Sequence, residues 1–597
     1  MKSFNLIKPY FYQRRHLILC GVLCLMVVDT LQLLIPRVIK WAVDDLTALQ
    51  FDGLRLAVYA GQILAIAGVM TVLRFVWRRL LIGTSRVVEK KLRDRLFFHI
   101  QTLSANYFNH TKTGDLMAHA TNDINNIRMS VGMGMVALTD AVFLGSMAIC
   151  FMAYINVRLT LFALIPMPFI VWMARSFGKK MHRRYTRVQG IFSDITESVR
   201  ESFSGIRIVK AFNREQREAD RVRDVSKKYV RENLKLVKIT GAFFPFMVLF
   251  TNLSQAIVLF LGGRQAITME ISPGDFVAFI SYLNLLTWPM MAMGWLTNLI
   301  QRGAASLDRI NRILDTRPEI LENPAPQSRN PEPGKIEFHR VSFTFPSLYY
   351  LADPSGLKSQ PEPNKKPIVL TDISFTVPPG SVLGIVGPQG SGKTTLLQLI
   401  PRIYDISSGT ITIDDIDIRQ LALTGLRKNI GFVSQEPFLF SGTIRDNLTF
   451  GEPVAEEKLI KATRAAALYD TITRFPHGFD TIVGEKGVVL SGGQKQRMVL
   501  ARALIQDPPF LLLDDPVGQV DAQTEAAIID TIRSLAKVKT TLIVSHRISA
   551  VSFADRIIVL EDGHIVESGA HSELVAANNY YAASHAIQRV QERSVQE

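Results

Sequence analysis

The first 300 or so residues of the chain are dominated by long apolar runs, whereas the rest alternates apolar and polar positions over short distances. Six of the runs hold about 20 mostly apolar residues each, the length needed to cross the hydrocarbon core of a bilayer. Together they predict an α-helical membrane domain with six transmembrane helices. The predicted spans are 17–38, 56–77, 131–155, 159–176, 239–261 and 276–299.

Two of the polar connections between these runs are long. They lie between the second and third runs and between the fourth and fifth, and both are rich in Lys and Arg, without Pro and with few Gly. Basic residues beside transmembrane helices indicate the cytoplasmic side. We therefore expect these helices to continue into the cytoplasm as helical extensions and to turn back there.

A stretch rich in Pro, Asn and Glu, "DTRPEILENPAPQSRNPEPGK", ends the apolar half. Beyond it, strand-like and helix-like segments alternate, which is typical of an α/β domain. The predicted organisation is a membrane domain with its extensions, a linker, an α/β domain and a polar C-terminal tail. Their boundaries are 1–315, 316–334, 335–580 and 581–597.

Charge and cysteine content narrow the class of protein. The 597 residues carry a net charge of +15, and the basic residues lie beside the apolar runs. This favours contact with membrane lipids over nucleic acid, for which no binding motif occurs. The three cysteines lie inside apolar runs without metal-ligand spacing, so we expect them to be small buried hydrophobic residues.

The motif "GPQGSGKT" follows a strand-like run and opens a helix-like one, which is the context of a P-loop. Its glycines let backbone N–H groups surround phosphate, its lysine adds a positive charge, and its first threonine reaches Mg²⁺. ATP and Mg²⁺ are therefore the predicted cofactors. The predicted nucleotide-binding residues are Gly387, Gln389, Gly390, Ser391, Gly392, Lys393, Thr394 and Thr395.

The stretch "FLLLDD" has the pattern of a buried strand that ends in two carboxylates. We expect Asp514 to hold magnesium together with Thr394. Asp515, the next residue, would then polarise the attacking water.

A second anion-binding element occurs at "LSGGQ", where Ser-Gly-Gly opens a helix. One domain needs only one P-loop. We therefore infer that this element serves a nucleotide held by another copy of the domain. Its binding residues are Ser491, Gly492, Gly493 and Gln494.

With these motifs in this order, the chain resembles the ATP-binding cassette (ABC) family, and specifically exporters with one membrane domain fused to one nucleotide-binding domain. The segments "TGDLMAHATNDI", "SGIRIVKAF", "AASLDRI" and "TIVGEKG" also resemble family segments. The resemblance implies a type I exporter fold of six transmembrane helices joined to an α/β P-loop domain. It also implies a half-transporter that works as a dimer in a bacterial inner membrane, with its nucleotide-binding domain in the cytoplasm.

The resemblance assigns further roles. Gln435 in "GFVSQEPFLF" would link magnesium to the membrane-domain contact, and His546 in "LIVSHR" would contact the γ-phosphate. Phe345 in "VSFTFP" would stack on adenine. The next stretch, 347–367, is polar, Pro-rich and longer than usual, so it predicts a surface loop whose tyrosines compete for that role. Asp521 would belong to the loop that crosses the dimer.

The chain departs from the family at the catalytic carboxylate. Asp515 stands where the family has glutamate; the side chain is shorter by about 1.5 Å, and such misplacement can cost about 100-fold in rate. The family's Ser-Ala-Leu-Asp reads Gly-Gln-Val-Asp at 518–521. These changes predict a site that binds ATP but hydrolyses it slowly. Because LSGGQ is intact, they favour a heterodimer, while the retained His546 and Gln435 keep a homodimer open.

The predicted function is ATP-driven export or flipping of a hydrophobic or amphipathic substrate by alternating access. The alternatives are a homodimeric lipid or drug flippase with a competent Asp515 and an ATP-gated regulator that does not pump. Asp29 and Asp140 lie within apolar spans, where acids are costly. They predict either a cation-binding site or residues that face a wet cavity or hydrogen-bond between helices. The Met and Trp of 288–295 suit either a promiscuous pocket or lipid-facing packing.

Overall fold

The computed structural model describes residues 2–48, 53–323, 325–327, 332–345, 368–484, 490–518, 520, 522–536 and 538–596. They form two compact units. The first comprises Met1–Gln101 and Thr113–Thr316, and the second comprises Thr102–Lys112 and Arg317–Glu597. The second unit thus includes a short segment from the helical half of the chain.

The described residues of the first unit are almost all helical. After a short helix α1 (Lys8–Gln13), long helices follow one another with few intervening residues. They are α2 (Arg15–Thr47), α3 (Gly53–Thr102), α5 (Thr113–Ile155), α6 (Val157–Ser204), α8 (Glu215–Ile267) and α9 (Pro273–Asp315), with the short α4 (Ala105–His110) and α7 (Ile206–Ala211) between them.

Five of the long helices, α2, α3, α5, α6 and α8, are long and apolar enough to cross a membrane. They contain the first five predicted spans, and the sixth predicted span lies within α9. Helix α3 has 50 residues and α8 has 53, about twice the length a bilayer requires. The two long basic connections are therefore helical continuations of the spans, as predicted.

The core of the first unit lies where α9 packs against α5, α6 and α2. Tyr282 of α9 is fully buried there and donates a hydrogen bond to the Leu33 carbonyl at 3.0 Å. Cys20 and Cys150, which we expected to be buried, are instead exposed on the apolar surface of this chain. Apolar side chains on that surface are normal for helices whose solvent is lipid.

The second unit is an α/β domain with three sheets. The strands are β1 (Ile336–Thr344), β2 (Ile368–Val377), β3 (Val382–Val386), β4 (Ser408–Ile413), β5 (Ile416–Asp417), β6 (Ile430–Val433), β7 (Gly442–Thr443), β8 (Ile482–Val483), β9 (Phe510–Asp514), β10 (Thr540–Val544), β11 (Arg556–Glu561) and β12 (His564–Gly569). The main sheet has the order β12-β11-β3-β10-β9-β6, beside a four-stranded sheet β2-β1-β4-β5 and the pair β7-β8.

Helices connect these strands. They are α10 (Lys393–Leu399), α11 (Leu423–Lys428), α12 (Ile444–Thr449), α13 (Glu456–Ala465), α14 (Tyr469–Thr473), α15 (Gly492–Leu504), α16 (Ala522–Ala536), α17 (His571–Ala576) and α18 (Tyr580–Gln596). Residues 581–597, predicted as a polar tail, are thus largely helical.

The central strands of the main sheet are buried on both faces. In β9, Leu511 and Leu513 join one apolar cluster, whereas Phe510 and Leu512 join the cluster on the opposite face. Strands β6, β9, β10, β3 and β11 run parallel, so their carboxyl ends meet at one edge. Ligand sites of open α/β sheets form at that edge.

Candidate ATP-binding site

A cavity of about 460 Å³ opens at the carboxyl edge of β3, β6, β9 and β10. It brings together most of the predicted site. Its lining residues include Phe345, Gln389, Gly390, Gly392, Lys393, Thr394, Thr395, Gln435, Asp514, Asp515 and His546. Motifs that are up to about 200 residues apart in sequence therefore form one site.

The P-loop joins β3 to α10 through backbone conformations that suit glycine. Gly390 and Gly392 have φ of +79° and +98°. A Cβ at Gly387 would lie 2.0 Å from the Leu560 carbonyl oxygen. The Lys393 ammonium group donates to the carbonyls of Gly387 and Pro388 at 2.9 and 2.6 Å, which holds it beside the loop. Backbone amides, a helix N-terminus and a cation thus converge where phosphates would bind.

Asp514 ends β9 and has the chemistry of a magnesium ligand. Its residue is only 1% exposed, and its Oδ2 has no hydrogen-bond partner among the described residues. The Thr394 hydroxyl bonds to the same carboxylate. Since Gln435 lines the same cavity, these three side chains fit a hard cation that takes its remaining ligands from phosphate and water.

Burial sets the protonation states in this cavity. It raises the pKa of Asp514 to about 6; the negative charge of Asp515 acts in the same direction, and the Thr394 hydrogen bond opposes it. Burial lowers the pKa of Lys393, against the attraction of both carboxylates. Burial and the nearby Lys393 lower the pKa of His546. Near neutral pH the site therefore offers an anionic Asp514 and a neutral His546.

Asp515 has a left-handed backbone, with φ of +50°. Its N–H donates to the Val544 carbonyl at 2.8 Å, and its carboxylate Oδ1 accepts from the Ser545 hydroxyl at 3.1 Å. Its Oδ2 lies only 2.2 Å from where a Cβ on Gly518 would be, so the missing side chain at Gly518 makes room for it. The carboxylate thus lines the cavity, where Ser545 holds it next to its own turn.

The aromatic side of the cavity is built around Phe345. This ring is 38% exposed and packs edge-on against Phe343 and Tyr404, with ring centroids 4.9 and 5.2 Å apart. Tyr404 in turn accepts a hydrogen bond from the Asn109 amide at 2.8 Å. Two aromatic rings therefore hold Phe345 in place, and the Phe345 ring remains partly exposed. The competing tyrosines of 347–367 lie outside the described residues.

The LSGGQ element does not line this cavity. Ser491 is the N-cap of α15, and its hydroxyl and the Gln494 side chain satisfy each other's backbone amides at 3.3 and 3.0 Å. Ser491 and Gly492 are exposed. The motif therefore forms an open helix N-terminus away from its own P-loop. Asp521 and residues 485–487 of the preceding predicted segment lie outside the described residues.

Three residues that support the site, Ser545, Gln496 and Gln588, were not predicted from the sequence. Ser545 holds Asp515, and the Gln496 amide donates to the Asp515 carbonyl. The Gln588 side chain of α18 binds the loop that carries His546. It donates to the His546 carbonyl at 2.7 Å and accepts from the Ile548 N–H at 2.8 Å. Only Ser545 has a local signal, because it directly precedes the histidine.

A helical membrane unit and an α/β unit with a P-loop, a buried carboxylate at the end of β9 and a separate signature helix define an ATP-driven membrane transporter. The profile of the ABC transporter transmembrane region matches residues 18–290, and that of the ABC transporter ATP-binding region matches residues 370–518. The chain belongs to the ABC transporter family. It is a multi-pass membrane protein of the exporter type, with an ATPase coupled to transport, and ABC exporters work as dimers.

Several relatives match nearly the whole chain. It is 36% identical to the probable multidrug resistance ABC transporter ATP-binding/permease protein YheI of Bacillus subtilis, over 96% of this chain and 95% of the relative. It is 33% identical to the multidrug resistance-like ATP-binding protein MdlA of Escherichia coli, over 99% and 97%. It is 36% identical to the ATP-dependent lipid A-core flippase of Syntrophus aciditrophicus, over 83% and 80%.

A solved structure extends the match to three dimensions. The structure of a bacterial Atm1-family ABC exporter with ATP bound superposes with a TM-score of 0.75 at 26% identity. The match covers 96% of this chain and 98% of that one. The predicted type I exporter fold is confirmed.

Proposed function

We propose that this chain is one half of a dimeric exporter that moves hydrophobic or amphipathic molecules across a bacterial inner membrane, with its own ATP site turning over slowly. Its relatives include proteins named for multidrug resistance and for lipid A-core flipping. The nucleotide-binding unit would lie in the cytoplasm, in keeping with the basic residues of the connecting helices.

In this proposal the P-loop amides and Lys393 hold the phosphates, and Phe345 stacks on the adenine. Thr394, Gln435 and Asp514 would hold magnesium, which would neutralise charge on the phosphate oxygens. His546 would contact the γ-phosphate. The exposed N-terminus of α15 would close the site of a second chain, with Asp521 in the loop between them. Closure on two ATP molecules would switch the membrane cavity from inward-facing to outward-facing.

The observation that carries the slow site is the position of Asp515. Its carboxylate is one methylene short of glutamate, is held by Ser545 and lies against Gly518. The shorter side chain would place the carboxylate farther from water at the γ-phosphate, and the Ser545 hydrogen bond would hold it there. Since the signature helix is intact, we propose a heterodimer in which a partner with glutamate supplies the working base and this chain supplies LSGGQ.

A homodimer is the second candidate, and the cavity supports it with two observations. Gln435 and His546 both line the cavity beside Asp515, so every other predicted catalytic group is present. In a homodimer Asp515 would do the work of glutamate at a rate adequate for a lipid or drug flippase.

The test is steady-state ATP hydrolysis by the chain alone, purified in lipid, beside the Asp515→Glu variant. The slow site is supported if the native chain hydrolyses ATP slowly and the Asp515→Glu substitution raises the rate by up to about 100-fold. Lys393→Ala in both backgrounds is the control for contaminating ATPase. Brisk hydrolysis by the native chain would contradict the slow site and favour the homodimer.

Transport is tested separately from hydrolysis. Concentrative uptake of a lipophilic dye into inside-out vesicles that contain this chain and its partner supports a pump. ATP-dependent equilibration without accumulation against a gradient would instead identify an ATP-gated regulator.

A further inference from the structure

The helical unit contains a polar cavity of about 260 Å³ among its predicted transmembrane spans. It is lined from four elements: α2, α3, the segment of α5 around Asp140, and α9. Two carboxylates, one guanidinium and two indole rings face it. They belong to Asp29, Asp140, Arg74, Trp77 and Trp288.

One oxygen of each carboxylate lacks a hydrogen-bond partner among the described residues, while Arg74 is close enough to attract both charges. Asp29 is 4% exposed, and its Oδ2 is buried without a hydrogen-bond partner among the described residues. The same holds for Asp140 Oδ1 within that part of the chain. The two groups are close enough to interact electrostatically. A buried carboxylate oxygen without a donor is costly, so this arrangement indicates a ligand with positive charge or a proton donor.

Other polar side chains of the wall, Arg74, Gln32 and Asn284, are already engaged, whereas the Trp77 indole N–H is buried without a hydrogen-bond partner among the described residues. Arg74 donates to the Gln32 side chain at 3.2 Å, and the Asn284 side-chain oxygen accepts from Gln255 at 2.6 Å. One guanidinium stands against two carboxylates. With both acids ionised, the cavity therefore carries a net charge of −1, which matches a monovalent cation.

The indole rings make the cavity suitable for an organic cation. Trp77 is buried, whereas Trp288 is 60% exposed. Aromatic faces attract cations whose charge is spread over carbon-bearing groups. Leu25 and Val28 add apolar surface on the α2 side. A compact, strongly hydrated metal ion would gain little from such walls.

The backbone at Asp140 forms one of four π-helical turns in the described part of the helical unit; the others are Arg78–Ile82, His119–Asp123 and Val258–Gly262. Asp140–Leu144 is a π-helical turn inside α5. Such single wide turns are rare and occur frequently at functional sites, because they re-aim side chains out of the regular α-helical register. Here the turn begins at one of the two carboxylates.

We propose that this cavity binds the positively charged head of a monovalent amphipathic organic cation, with Asp29 and Asp140 supplying the charge and Trp77 and Trp288 the flanking surfaces. The inference rests on the proposed export function and names a class of substrate for it. Arg74 limits the net charge and thereby disfavours divalent ligands.

Equilibrium binding of tetraphenylphosphonium to the full-length protein in lipid nanodiscs, without nucleotide, tests the proposal. Tetraphenylborate, an anion of nearly the same size and shape, is the charge control. We expect the cation to bind and each of Asp29→Asn and Asp140→Asn to weaken it about tenfold, the factor that 1.4 kcal/mol corresponds to. Glu270→Gln, which removes an exposed acid from the same unit, is the matched control and should change nothing.

Arg74→Gln gives an independent test with the opposite sign. It removes the only cation of the cavity wall among the described residues, so cation affinity should rise. Equal affinity of the native protein, both Asn variants and the Arg74 variant would overturn the proposal, as would tighter binding of tetraphenylborate after subtraction of its binding to protein-free nanodiscs. Because the binding assay contains no nucleotide, it is independent of the export assay. Asp-dependent cation binding would stand even if ATP-driven export failed. A failure of cation binding would not contradict the proposed export.

Discussion

A single glycine, Gly518, leaves room for the carboxylate of Asp515, the proposed catalytic base. Gly518 does not have a positive φ, so alanine fits its backbone, but a Cβ there would collide with Asp515 Oδ2. Gly518 is therefore a positioning residue that acts through Asp515. Two departures from the family sequence, Asp515 itself and Gly518, therefore both affect the Asp515 carboxylate.

We predict that Gly518→Ala changes ATP hydrolysis through Asp515 alone. The new methyl group should push the carboxylate away from its own turn and raise the rate severalfold, measured at saturating ATP. The same substitution in an Asp515→Asn background is the control. If it altered the rate equally there, Gly518 would be acting through the loop rather than through the carboxylate.

The residues that sequence analysis identified are those whose roles depend on local backbone. A P-loop, an N-cap serine and a carboxylate after a buried strand each require a fixed short spacing. Their motifs can therefore be recognised in the sequence. Tyr404, Gln496 and Gln588 act across long sequence separations and belong to no motif. The orientation of Asp515 was equally unreadable, because it depends on packing against Gly518 and Ser545 rather than on residue type.

At the scale of elements, the C-terminal helix α18 is part of the catalytic support. It contributes Gln588, whose amide bridges the carbonyl of His546 and the N–H of Ile548. A side chain that satisfies two backbone groups of one loop fixes that loop's path. The helix that the sequence presented as a polar tail therefore positions the histidine that would contact the γ-phosphate.

Gln588→Ala should lower the maximal rate of ATP hydrolysis severalfold in the Asp515→Glu background and leave nucleotide affinity nearly unchanged, because His546 loses alignment while the P-loop is untouched. Gln588→Glu should be worse, since it removes the donor and puts a carboxylate against the His546 carbonyl. Arg589→Ala, on an exposed neighbour, is the control. A loss of affinity that matches the loss of rate would point to general unfolding.

The packing of α17 against α18 should depend on pH. His571 bonds to the Tyr581 hydroxyl at 2.7 Å, and burial and the neighbouring His585 lower its pKa below 6.5. The unfolded segment therefore binds protons more readily, so stability is complete above about pH 6.5 and falls on acidification. We expect faster amide exchange in α18 at pH 5.5 than at pH 7.5 after correction for intrinsic rates, and His571→Gln should abolish the difference. Equal pH dependence in both proteins would exclude His571 as the cause.

At the scale of the whole molecule, the separation of LSGGQ from its own P-loop cavity requires a second chain. In the Asp515→Glu background, Gly492→Arg blocks the LSGGQ element and leaves a working P-loop. Lys393→Ala disables the P-loop and leaves a working LSGGQ element. Each variant alone should be inactive. Mixed dimers should recover about a quarter of the parent rate, because half of the dimers are mixed and each has one complete site. No recovery after verified subunit exchange would show that each chain hydrolyses ATP by itself.

The placement of α4 within the nucleotide-binding unit has a consequence for biogenesis. Asn109 bonds to a tyrosine 295 residues further along the chain, and Asn106 bonds to Glu319 at 2.8 Å. The ribosome therefore makes this helix long before the sheet that receives it. The entropic cost of closing a flexible loop grows slowly with its length, by about 0.6 kcal/mol for each doubling. The nucleotide-binding unit is complete only when this short segment from the membrane half of the chain is in place. A chain whose early helices insert wrongly would thus leave a visible defect in the ATPase, which quality-control proteases could detect.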